Sequence, residues 1–326
     1  MSTRGPARAP RRLSGVAVAG MTALISGVSV FVNAYGVHAL PTAAVYTSAK
    51  NLVAAVLLAA AVVAIPALRS RSLGGDASSP GAVTGRPAPS AAPAPPHLAR
   101  AAALAYVGAI GGGLAFVLFF SGLARTSAVP AAFLHDTLIV WVGVLAWPAL
   151  RERLSVWNIA AVGLLVTGQA LAAGGVGHLV AGGGELMVLG ATLLWAVEVV
   201  VAKRLLATYS AGTIALVRIG GGAAVLVAYL GATGQLSTLL ALDAHQLAWA
   251  VLTGALLAAY VGTWLTALAR ARAVDVTAVL VASVVVTALL QAAAGHGSLV
   301  PQLAGLGLVV AGTAAVLWGR PRRATA

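Results

Sequence analysis

The sequence contains no cysteine, which removes disulfide frameworks, thiolate metal sites and cysteine nucleophiles together. Charge is scarce as well: only 8% of the 326 residues are charged, with seven acids against twenty lysines and arginines. A soluble domain of this length needs far more polar surface, so that class is excluded. Neither an HExxH pattern nor an aspartate-rich run is present, which leaves poor ground for zinc or magnesium. The glycine-rich stretches GAIGGGLAF and RIGGGAA lack the GxxxxGK[ST] pattern and read as small surfaces for close helix approach, not as phosphate loops. No catalytic residue, metal or cofactor is expected, and a membrane-embedded lipid-modifying enzyme is the least favoured class.

What is abundant is apolar. Hydrophobic residues make up 60% of the chain and the mean hydropathy is +0.97, values of an integral membrane protein. A run must cover roughly 30 Å of hydrocarbon at about 1.5 Å per residue. Ten runs qualify, near 13–35, 42–67, 100–122, 129–149, 156–174, 184–206, 211–231, 247–268, 275–293 and 299–318. Their length indicates helices, since barrel strands alternate over about ten residues. The expected fold is therefore all-α, with ten transmembrane helices. The basic N-terminus resembles the start of a secretory signal, but its apolar run is too long and no cleavage site follows, so it reads as a retained first span. Residues 1–12 form a basic tail, 68–98 a Pro/Ala/Ser/Gly-rich loop with nothing to bury, and 319–326 a short C-terminal tail.

The basic residues set the orientation. With the N-terminus inside, seventeen arginines and lysines fall on the cytoplasmic side and one, Arg125, outside, which places both termini in the cytoplasm. The arginines sit in short caps between apolar runs, not on one face, so the net charge of +13 speaks of topology and not of nucleic acid. Arginine-, alanine- and glycine-rich usage suggests a bacterial source and hence the bacterial plasma membrane.

The chain also repeats. LARTSAV at 123–129 returns as LARARAV at 268–274, NIAAVGLLVTG at 158–168 returns loosely as QLAGLGLVVAG at 302–312, and the SG of Ser26 and Gly27 overlays the WA of Trp195 and Ala196. Each half, 13–174 and 184–318, then holds five spans, an odd number, so the second half is inverted relative to the first. The same register, with a one-residue difference absorbed in the preceding loops, superimposes Lys50 on Arg218, the two basic residues that fall inside spans.

These features resemble the drug/metabolite transporter superfamily, in its EamA-like branch. The most specific stretch is LARTSAVPAAFLHDTLIVWVGVLAWPALRERLSVWNIAAVGLLVTG, with Glu152 at the acidic position after the fourth span and Gly163 and Gly168 in the fifth. The resemblance implies a ten-span permease of two inverted five-helix repeats that moves small solutes, and it favours export. Ile139 and Val284 stand where the family often carries proline, so broken-helix geometry is not carried over.

Two acids lie within spans. Asp136 is expected about as deep as Lys50, and Glu198 about as deep as Arg218, so one ion pair per half is geometrically open. Either these pairs only satisfy each other, or one side of each faces a solute cavity. On the second reading Lys50 and Arg218 attract an anionic group, while Glu198 and Asp136 exchange protons and His135 relays them. Neighbours in a helix point about 100° apart, so only one of His135 and Asp136 can face a cavity squarely. Asn33, Asn51, Trp195, Tyr46, Tyr260 and Trp264 complete the candidate solute-binding set, with helix packing as the alternative for each. Glu185 and Asp275 read as helix caps, and Glu152, between Arg151 and Arg153, as part of a solvated ion cluster.

The function this supports is secondary active transport of a small metabolite, such as an amino acid or related organic solute, coupled to protons by alternating access. The partners are that solute, protons and the lipid bilayer, with no nucleic acid; the chain could work alone or as a homodimer. The alternative is a lipid flippase or a non-catalytic subunit of a membrane complex.

Overall fold

The computed structural model describes residues 14–65, 97–123, 125–126, 134–152, 156–172, 182–295 and 300–318. The two tails and nearly all of the loop expected at 68–98 lie outside these residues. Among the described residues the chain is all-helical, with no strand. Seven helices are long and apolar enough to cross a membrane: α1 (Gly15–Ala39), α2 (Ala43–Ala64), α3 (His97–Leu123), α6 (Gly183–Leu205), α7 (Ala211–Ala232), α8 (Ala244–Arg270) and α9 (Ala273–Ala293). Three shorter apolar helices, Leu134–Leu150 (α4), Ile159–Gly168 within α5 (Val156–Ala172) and Leu303–Ala315 within α10 (Leu303–Trp318), fall below that length, so the ten runs resolve into seven full spans and three shorter helices.

The helix starts follow from local chemistry. Ser14, Thr42 and Ser210 each accept the backbone N–H three residues on, at 3.1–3.2 Å, and so satisfy one orphan donor at the starts of α1, α2 and α7. At α8, Asp243 and Gln246 form a reciprocal capping box at 2.8 and 3.1 Å. Glu185 accepts from the Gly182 N–H at 3.1 Å and from the Thr126 hydroxyl, which ties the start of α6 to the loop after α3.

Packing interleaves the two halves. α1 lies against α8 and α9, α2 against α7 and α8, α3 against α6 and α7, and α4 against α6 and α9, while α5 pairs with α10. In lipid there is no hydrophobic drive between helices, so close approach depends on small residues. The two glycine runs meet each other: a Cβ on Gly112 would collide with the Arg218 carbonyl, and one on Gly222 with the Gly112 carbonyl. The α5–α10 pair uses the same device, with Gly168 against the Gly305 carbonyl and Gly312 against Ala161 and Leu165.

Three departures from regular α-helix surround the centre. Residues Tyr106–Leu114 of α3, the stretch YVGAIGGGL, are wound as π-helix. α4 is interrupted at Thr137, whose hydroxyl turns back to the Leu134 carbonyl at 2.6 Å. α9 tightens between Val279 and Val285, where the backbone N–H groups of Ala282, Val284 and Val285 each bond to residue i−3. The last two correct the expectation that helices without proline at 139 and 284 stay unbroken. The hydroxyl of Thr137 and the tight i−3 bonding of α9 re-satisfy backbone groups without a proline, which is how irregular backbone is tolerated at membrane depth.

The sequence also misplaced Glu152. Arg151 takes a left-handed conformation (φ 54°) at the end of α4, and the chain turns so that Glu152 reaches the other half. Its carboxylate accepts the N–H groups of Ala273 at 3.0 Å and Val274 at 3.4 Å, the first residues of α9. Exposed donors and the positive end of a helix dipole outcompete neighbouring arginines for this acid.

Candidate functional site

The interrupted helices converge on a cavity of about 210 Å³. Its floor is an ion pair. Glu198 on α6 takes the Arg218 guanidinium of α7 in a two-pronged grip, Nε to Oε1 at 2.5 Å and Nη2 to Oε2 at 3.2 Å. The side chains are 1% and 7% exposed, so this is a buried pair whose members need each other.

The π segment explains how Glu198 fits. A Cβ at Gly111 would overlap its carboxyl group, so only glycine leaves room for the acid against α3. The Gly111 carbonyl accepts the indole N–H of Trp195 at 2.9 Å, and the Tyr106 hydroxyl donates to the Leu194 carbonyl at 3.0 Å. Thus the irregular stretch of α3 is stitched to α6 about one turn before the acid. Single-turn π insertions recur at functional positions because they re-aim side chains that a regular helix would bury elsewhere.

Aromatic faces form the walls. The guanidinium carbon of Arg218 lies 5.6 Å from the Phe116 ring centre and 5.4 Å from that of Trp264, within cation–π range. Tyr260 stacks parallel to Trp264 at 6.5 Å. His135 stands edge-on to Trp195 at 5.1 Å, and its Nδ1 has no hydrogen-bond partner among the described residues. Ser26 and Ser29 of α1 and Thr277 of α9 add hydroxyls to the lining.

The candidate residues therefore separate into two groups. Arg218, Glu198, Trp195, Tyr260, Trp264 and His135 all line this cavity. Lys50, Asn33 and Tyr46 gather in a second cluster beside it: Lys50 Nζ donates to Asn33 Oδ1 at 3.2 Å, and the Tyr46 hydroxyl donates to the same oxygen. Lys50 also lies over the rings of Tyr46 at 4.9 Å and Phe120 at 5.6 Å.

One open pairing is not formed, and one candidate takes its packing alternative. Asp136 does not pair with Lys50: among the described residues the salt bridges are Arg218–Glu198 and Arg272–Asp275. Equal depth fixed one coordinate only, and the side chain that α4 turns to the cavity is that of His135, not Asp136. Asn51 is fully buried with its amide spent on the Thr47 carbonyl at 2.8 Å, away from the cavity lining. Sequence reasoning also overlooked Phe116, Ser29 and Thr277. The only available signal for Phe116 was its place just after the glycine run; Ser29 and Thr277 carry none.

No curated protein matches the chain in sequence. A solved crystal structure whose title states no function aligns with a TM-score of 0.72 at 15% identity, over 94% of this chain and 99% of that one, and so shares the fold. The sequence profile of the EamA-like transporter family matches twice, at residues 13–174 and 182–318. With nearly the whole length covered by two copies of that profile, the chain belongs to the EamA-like transporter family.

Proposed function

We propose that the chain is a secondary active transporter that exports a small organic solute, such as an amino acid or a related metabolite, in a proton-coupled cycle. The observation that carries this is the buried Glu198–Arg218 pair, which opens onto a cavity walled by Trp195, Trp264, Tyr260 and Phe116. The aromatic walls suit the apolar body of a small solute, and the pair suits its charged head. Arg218 can hold one carboxylate well. When Glu198 takes a proton, its claim on Arg218 falls and an anionic group of the solute can replace it; when the solute leaves, Glu198 loses the proton and recloses the pair. Solute and proton are thereby bound and released together, which is the minimal chemistry of proton coupling.

The framework for this cycle is ten helices in two inverted halves, with both termini cytoplasmic, in a bacterial plasma membrane. The three short helices α4, α5 and α10 complete the count, and seventeen of the basic residues then fall inside. The breaks at Thr137 in α4 and near Ala282 in α9 supply the points where each half can bend around the site. Solute and proton need only differ in affinity for the inward and outward states to shift the balance between them.

The test is reconstitution in vesicles with an imposed pH gradient, loaded in turn with amino acids, organic acids and amines. Solute movement that carries protons in the wild type, and loses them in Glu198→Gln, supports the reading. Solute flux without any pH change removes the proton coupling and leaves facilitated transport. Lipid movement with no solute flux replaces it with a flippase.

A further inference from the structure

The two halves treat their buried cation differently. The register that sets Ser26 on Trp195 sets Ser29 on Glu198, and with a one-residue shift absorbed in the loops before α2 and α7 it sets Lys50 on Arg218. So where the second half supplies a carboxylate for its cation, the first half supplies a serine. Lys50 is nonetheless 6% exposed, as deeply buried as Arg218.

The acids among the described residues leave no substitute. Six of the seven lie among the described residues. Glu198 holds Arg218, Asp275 holds Arg272, Glu152 caps α9, Glu185 binds Gly182 and Thr126, and Asp243 caps α8. Asp136, the sixth, makes no ion pair among the described residues, and no carboxylate there lies within 4.0 Å of Lys50. A buried cation without a counter-ion is costly inside a membrane and marks a functional position. An ammonium carries three donors, and among the described residues a single hydrogen bond, to Asn33, engages one of them.

The surroundings are arranged for an acceptor. Asn33 spends its amide N–H groups on the Ser29 carbonyl at 2.6 Å and hydroxyl at 2.9 Å, which holds its Oδ1 toward Lys50 and Tyr46. Ser29 itself lines the cavity. A continuous polar path, Ser29 to Asn33 to Lys50, thus runs from the cavity wall to the cation, flanked by the rings of Tyr46 and Phe120.

We infer that Lys50 is a second anion subsite, and that the carboxylate of the transported solute is the counter-ion which the first half lacks. This rests on the transport reading above and narrows its substrate class to organic acids and amino acids, excluding amines without an acidic group. Arg218 and Lys50 then receive the carboxylate from the two halves in turn: Arg218 releases Glu198 to bind it, while Lys50 has no internal competitor to release.

The experiment is thermal unfolding of the detergent-purified full chain with acetate, benzoate or chloride as the added anion. The variants are Lys50→Gln, Lys50→Arg and Asn33→Asp. A ligand that binds only the folded state raises Tm, by about 3 °C or more at concentrations well above its Kd. Expected is a rise with acetate and benzoate, but not chloride, in the wild type and Lys50→Arg, and none in Lys50→Gln. Asn33→Asp places a permanent carboxylate at the oxygen that Lys50 already touches. It should melt higher than the wild type without any ligand and no longer respond to carboxylates. This second variant keeps the test decisive if Lys50→Gln fails to fold.

A carboxylate response that survives in either Lys50→Gln or Asn33→Asp places the anion elsewhere and overturns the inference. So does a wild type that responds to no carboxylate, or equally to chloride. Because binding is read without flux, such failures leave the vesicle result for the Glu198–Arg218 cycle standing, and a failed vesicle result leaves this one readable.

Discussion

Glu152 Oε1 accepts the backbone N–H of Ala273 at 3.0 Å, so an acid at the end of α4 in the first repeat caps the ninth helix in the second. The contact has close neighbours. Lys203 donates to the Leu268 and Ala271 carbonyls, both at 2.6 Å, closing the end of α8, and Arg204 donates to the Ala149 carbonyl at the end of α4. Together they lock the ends of α4, α6 and α8 and the start of α9 at one face of the molecule.

Removing that lock should open that face. Loss of an N-terminal cap costs about 0.5–2 kcal/mol, and a bias of that size changes the ratio of two conformations about fivefold. Since the chain has no cysteine, Thr277→Cys provides a single thiol in the cavity wall. Maleimide labelling of that thiol should be about fivefold faster in Glu152→Ala than in its parent. Unchanged labelling means that the contact only stabilises α9.

The Glu198–Arg218 pair should behave as a unit. Removing either partner strands a buried charge, at about 3–5 kcal/mol by analogy with soluble cores. Glu198→Ala and Arg218→Met should each lower Tm sharply, while the double variant recovers much of the loss. A double variant that melts at the sum of the two losses would show that the partners act independently.

Gly111 and Gly112 should fail for different reasons. A methyl group at 111 meets the movable carboxyl of Glu198, whereas one at 112 meets the fixed carbonyl of Arg218. Overpacking costs about 1–3 kcal/mol where side chains can shift, and more where backbone must. Gly111→Ala should therefore stay folded but lose proton-linked flux, and Gly112→Ala should be the less stable of the two in a thermal melt. The reverse order of Tm would mean that the π segment does not hold its place against α7.

Trp195→Phe keeps the aromatic wall and deletes one donor. The Gly111 carbonyl, now without the indole N–H, should cost about 1–3 kcal/mol as an unsatisfied buried acceptor. Trp264→Phe, which keeps an aromatic ring over Arg218, should cost less. Equal losses in Tm would place the role of Trp195 in its ring and not in its N–H.

Much of this was legible one residue at a time. Hydropathy marked the ten long helices, since crossing lipid demands a contiguous apolar run, and the recurrence of a cation at Lys50 and Arg218 pointed to the centre; the short helix Leu236–Leu240 lies outside those runs. Glu198 and Arg218 were matched correctly because their depths agreed and their azimuths happened to agree too. Lys50 and Asp136 agreed in depth alone. Glu152 looked solvated because its neighbours in sequence are arginines, although its partners are N–H groups 121 and 122 residues away. The bends in α4 and α9 were hidden because Thr137 and a run of i−3 bonds do what proline does in other chains.

The sequence by itself determined the solvent of this protein, its helices, its internal duplication and the identity of its few buried charges, because each is set by composition, run length or spacing along the chain. Only the tertiary structure decided which charges meet, which aromatic rings wall the cavity and which cation is left without an acid. Those depend on the rotation of each helix about its axis and on close approach at glycine, and neither is encoded in any single segment.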